Sequence, residues 1–138
     1  MTGPFVAFHS HLFRDQQPDE ELDQWFLGED LANWLHKTLT QHPEIESECA
    51  PLEEDWHGWT FGLRVRGISF WINIWNAGRE NWIVGLELRP GLLGLFRKAR
   101  AATATVELRG IVTQMLATPD FRDVAWSDRW PSARVQSK

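Results

Sequence analysis

Apolar and polar residues alternate with a period of two through three consecutive segments in the middle of the chain. Residues 59–65 place Trp59, Phe61, Leu63 and Val65 on one face. Residues 68–75 place Ile68, Phe70, Ile72 and Ile74 there, and residues 82–88 add Trp82, Val84, Leu86 and Leu88. That period belongs to a half-buried strand. Gly67 and Asn76-Ala77-Gly78 supply turns, so the three segments predict an antiparallel meander over 59–89.

Two stretches carry helical spacing instead. Leu27, Leu31, Trp34, Leu35, Thr38 and Leu39 form a stripe at three- and four-residue intervals. Asp19 offers a cap upstream, the acids Glu20, Glu21 and Asp23 suit a first turn, and His42-Pro43 ends the segment. Gly28 interrupts this helix, or separates a first turn from a body that starts near Asp30. A second helix is predicted over 99–117, with Leu108, Ile111, Val112, Met115 and Leu116 as its buried stripe. Shorter apolar segments predict strands at 5–13, 46–50 and 121–130. The order β-α-β-β-β-β-α-β predicts an α+β fold, an antiparallel sheet of about four to six strands packed against two helices. One domain would span 1–130, followed by a short polar tail at 131–138.

Composition narrows the classes. The chain has 138 residues with 43% apolar and 24% charged, enough to bury a core. No apolar run is long enough to span a membrane, and the N-terminal residues lack a secretory pattern. Cys49 is the only cysteine, which excludes an internal disulfide and a cysteine-based zinc or iron–sulfur site and fits a cytoplasmic location. Nine Trp and no Tyr are an unusual aromatic set.

Charge is uneven along the chain. Residues 1–56 hold thirteen Asp/Glu against Arg14 and Lys37, whereas residues 57–138 hold twelve Lys/Arg against six acids. The net charge of −5 argues against nucleic-acid binding. The acidic half suits a basic protein partner through electrostatic steering.

The outward side of the meander carries the most information. It collects Thr60, Gly62, Arg64, Ser69, Trp71, Asn73, Trp75, Asn81, Ile83, Gly85, Glu87 and Arg89. Trp71 and Trp75 on a wet face predict an apolar patch, and Trp with Arg is the pairing of interface hot spots. The 91–98 connection, a helix, a second copy of the chain (a homodimer) or a foreign partner would each cover it. Carbohydrate stacking on the Trp faces is an alternative. The predicted partner-binding set is Trp71, Trp75, Asn73 and Arg64, with Glu53, Glu54, Asp55 and His57 from the acidic loop.

Catalytic and cofactor chemistry finds little footing. Cys49 and His57 could form a nucleophilic pair, but acidic neighbours raise a thiol's pKa. His57 with the adjacent acids, or His9 with His11 on one strand face, would need further ligands to hold a metal. Gly91-Leu92-Leu93-Gly94 lacks the ending of a phosphate loop. No cofactor or metal is expected. A small enzyme or ligand-binding protein built on the His57 loop is the alternative function.

Three segments carry a resemblance: Glu54-Asp55-Trp56-His57-Gly58-Trp59, the run from Trp82 to Leu93, and Asp120-Phe121-Arg122-Asp123-Val124-Ala125-Trp126. With them the chain resembles a group of small uncharacterised proteobacterial α+β proteins that have an acidic–Trp–Gly–Trp step before a β-meander. In size, acidity and build it is similar to the immunity proteins that neutralise toxins. That resemblance implies a non-enzymatic, bacterial, protein-binding role, and it transfers no functional residue.

Overall fold

The computed structural model describes residues 4–13, 28–54, 58–78, 80–89 and 95–129. Seven strands and two helices follow in the order β1 (Phe5–His9), α1 (Glu29–Thr40), β2 (Ile45–Ser47), β3 (Leu52–Glu54), β4 (Gly58–Val65), β5 (Ile68–Asn76), β6 (Asn81–Leu88), α2 (Leu95–Met115) and β7 (Arg122–Ser127). All strand pairs are antiparallel. The sheet runs β2-β4-β5-β6-β1-β7, with β3 pairing on β4 beside β2. The first strand therefore inserts between the meander and the last strand.

The meander matches its expected bounds to within a residue, because its alternation is uninterrupted. The strand expected at 46–50 forms as Ile45–Ser47, and a further strand, Leu52–Glu54, forms in the stretch expected as a loop, which raises the count to seven. Both Glu48 N and Cys49 N donate to the Gly62 carbonyl, at 2.9 and 3.3 Å. Two residues opposite one make a β-bulge, which bends the chain between β2 and β3. Pro51, which has no N–H for a ladder, follows it. The first strand stops at His9 rather than 13, because Ser10 turns the chain: its Oγ accepts from Leu12 N at 3.2 Å. His9 and exposed His11 thus do not share a strand face. The cap expected at Asp19 lies outside the described residues, and α1 follows Gly28, whose φ is 113°.

Both helices pack on one side of the sheet. Leu31, Ala32, Leu35 and Leu39 of α1, Ala101, Ala104, Leu108 and Val112 of α2, and Leu116 just after it join one core with Phe61, Leu63, Phe70, Ile72, Ile74, Trp82, Val84 and Leu86. His36 fastens α1 to the sheet, its ring edge-on to Phe61 at 5.1 Å and its Nε2 bonded to Ser47 Oγ at 2.9 Å. Trp126 fastens β7 to α2 by donating from Nε1 to Thr113 Oγ1 at 3.1 Å.

Gly58 and Gly110 separate two roles of glycine. A Cβ on Gly58 would come 2.5 Å from the Ile74 carbonyl oxygen, and its φ of 98° is strained for any L side chain. Gly110 lies within α2 with open space around a Cβ. Gly58→Ala should cost about 2 kcal/mol or more. Gly110→Ala should add about 0.5–1 kcal/mol through helix propensity. Urea denaturation of the two variants measures both, and the opposite signs are the expected result.

Candidate functional site

The side of the sheet away from the helices has to satisfy its own groups. Trp71 and Gly62 are register partners across β4 and β5. A Cβ on Gly62 would come 3.4 Å from Trp71 Cζ3, so the indole lies across the glycine. The Arg89 guanidinium lies over the same ring, 4.6 Å from its centroid. Trp75 is placed likewise over Gly85, where a Cβ would meet Trp75 Cζ3 at 3.1 Å and the Phe5 ring at 3.3 Å. Aromatic rings that fill the space left by glycine are a known way to stabilise a strand. Neither indole projects into water; both are half-buried, and Ile83, in register with Trp75, is 1% exposed. The broad apolar patch expected from Trp71 and Trp75 is corrected accordingly. The large apolar side chains most exposed among the described residues include Leu52, Leu88 and Val106.

Glu48 holds the polar half of this face. The bulge brings its carboxylate against three donors. Ser69 Oγ donates to Oε2 at 2.8 Å, Arg64 reaches the same oxygen through Nε at 3.1 Å and Nη2 at 2.9 Å, and Arg89 Nη1 donates to Oε1 at 2.5 Å. The side chain is 14% exposed. Burial pushes the carboxyl up, but the bonds from Ser69, Arg64 and Arg89 and the charge of Arg89 outweigh it, so Glu48 titrates below its ordinary range. Arg64 also lies 3.6 Å from Glu46. Part of the acidic segment is therefore already compensated by the basic half of the chain.

Next to this hub a polar row crosses the face. Thr60 Oγ1 donates to Asn73 Oδ1 at 2.8 Å, and Asn73 Nδ2 donates to Glu87 Oε1 at 3.1 Å. Thr60 and Asn73 are buried, whereas Glu87 is exposed. The row ends in a cleft of about 810 Å³. Its walls are Phe5, Asn73, Trp75, Gly85 and Glu87 on the outer face, Leu86 and Leu88 from the inward side of β6, and Ala102, Thr105, Val106 and Arg109 of α2. It forms because β1 pairs with β6 only as far as Phe5 opposite Gly85, with the Pro4 carbonyl taking Leu86 N at 2.8 Å. Residues of both sheet faces thus meet α2 around one strand end. A mostly apolar concavity of this size with a few fixed polar groups is the usual form of a binding site.

The structure divides the expected site residues. Trp71, Asn73, Trp75 and Arg64 share the outer face, but only Asn73 and Trp75 line the cleft. Glu53 is in register with Trp59, whose ring packs on the core, so it belongs to the helix side of the sheet. Glu54 ends β3, and Asp55 and His57 lie outside the described residues. Cys49 Sγ accepts a bond from Gly62 N at 3.0 Å and serves the bulge. Among the described residues no group of three or more His, Cys, Asp and Glu could hold a metal ion. The sequence reading missed Glu48 as a hub, Glu87 as the end of the polar row, and Leu88 with Val106 as cleft walls. Only Glu87 carried a signal, through its outward position on β6.

The pH dependence of the hub follows from its sign. A carboxylate with a folded-state pKa below its unfolded value stabilises the fold above the unfolded pKa, and that contribution is lost as pH falls through the folded one. Glu48→Gln should therefore cost about 1–2 kcal/mol near neutral pH. The difference from wild type should shrink as urea titrations move from about pH 7 toward pH 3. A difference independent of pH would contradict an ionised hub.

No protein-family model matches this chain, and no solved structure matches it.

Proposed function

We propose that this protein is a non-enzymatic binding domain that holds a basic protein partner against the outer face of its sheet and so occludes it. An antagonist of the immunity type, acting in a bacterial cytoplasm, is the specific form of this reading. The observation that carries it is the cleft, where exposed Leu88 and Val106 flank half-buried Trp75 and Phe5. Apolar groups gathered in one concavity suit a desolvated anchor, which slows dissociation. Glu44 and Glu46 are exposed along the β2 edge, in a chain of net charge −5. Exposed charges away from the cleft act on long-range encounter and orientation rather than on the anchor. Among the described residues no helix is long and apolar enough to cross a membrane.

The rim of the cleft, rather than Trp71, is where a substitution separates binding from folding. Leu88 is 38% and Val106 66% exposed, so arginine at either position leaves the core in place. Tagged wild-type protein and the Leu88→Arg and Val106→Arg variants should be used as baits in the native cell, with bound proteins quantified by mass spectrometry. A basic protein depleted about tenfold or more from both variants, with unchanged thermal melting, is the expected result. Identical protein profiles from all three baits would overturn the reading.

A further inference from the structure

Of the two charged residues that line the cleft, Glu87 and Arg109, Glu87 has the environment that singles out a ligand chemistry. Glu87 Oε1 is fixed by Asn73 Nδ2, and Asn73 is fixed in turn by Thr60. Among the described residues no basic side chain lies within ion-pair distance of Glu87. The nearest same-face cation along β6 is Arg89, and it is committed to the Glu48 carboxylate and the Trp71 ring. Arg109, on the α2 wall, has its guanidinium over the Trp126 ring at 4.9 Å. A carboxylate is thus held in place in a largely apolar cleft that Trp75 also lines, with Arg89 bound to Glu48 and Arg109 stacked on Trp126.

We infer that the cleft receives an arginine or lysine side chain of the protein partner, with the cationic end on Glu87 and the aliphatic shaft and flanking apolar residues against Trp75, Leu88 and Val106. This rests on the proposed partner-binding role and deepens it from a face to a recognised chemistry. Such a side chain complements the cleft in both charge and polarity. An orientated carboxylate favours a cation in a charge-assisted bond, and the long stems of Lys and Arg cover apolar surface.

The test uses the full-length ¹⁵N-labelled protein and three capped pentapeptides, Ala-Leu-X-Leu-Ala, with X as Arg, Gln or Glu. NMR titrations follow the Asn73 side-chain amide and the Trp75 indole. The Arg peptide should shift both signals saturably and bind about tenfold more tightly than the Glu peptide. Glu87→Gln keeps an acceptor for Asn73 while removing the charge, and should reduce the Arg-over-Gln preference to less than about twofold. Val106→Arg should weaken the Arg peptide.

Equal binding of the Arg and Glu peptides, an Arg preference that survives Glu87→Gln, or no movement of these signals at millimolar peptide would each overturn the inference. Shifts that grow with protein concentration alone would assign the cleft to a second copy of the chain and overturn it too. A natural partner lost with Val106→Arg but retained with Glu87→Gln would leave the partner-binding reading standing and remove only this one.

Discussion

Both described helices lie on one side of an open antiparallel sheet, and the opposite side must therefore satisfy its apolar and charged groups within its own plane. The solution is built from cross-strand pairs. Trp71 lies on Gly62 and Trp75 on Gly85, so each bulky ring occupies the space that a missing side chain leaves. Glu48, turned onto the face by a bulge, gathers Arg64, Arg89 and Ser69. Arg89 joins the two devices by meeting both the carboxylate and the Trp71 ring. A hub of this kind is worth little per exposed pair, but the low exposure of Glu48 makes its loss costly.

The same arrangement decides what is left over for a partner. Arg89 is drawn toward Glu48, and Glu87, its same-face neighbour on β6, keeps a carboxylate turned to the cleft. The cleft exists because β1 begins opposite Gly85 and leaves the last residues of β6 beside α2. Alanines at 101 and 104 bury the helix against the sheet on one side, while Ala102 and Val106 face the cleft on the other. Sheet topology, helix packing and surface charge therefore converge on one strand end.

Strict alternation made the meander and its inward residues legible from the sequence, because each strand reports its own face. The division into β2 and β3 was not legible, since a bulge depends on the Gly62 carbonyl across the sheet. How far Trp71 is covered was not legible for a related reason. Trp71 and Gly62 are nine positions apart, and only the register of β4 with β5 shows that one covers the other. Glu48 looked like one acid among many because its partner Arg89 is 41 residues away. The loop at 55–57, read as part of the site, lies outside the described residues, and the weight of the site moves to Glu87 and α2.

The central claim is that a partner occupies the cleft rather than the helix side of the molecule. Photo-crosslinking in the native cell tests it most directly, with benzoylphenylalanine placed either at Val106 on the cleft or at exposed Lys37 on α1. The account predicts a discrete adduct from position 106, of a mass that does not correspond to two copies of this chain, and none from position 37. An adduct from position 37 alone, or no adduct from 106, would contradict it.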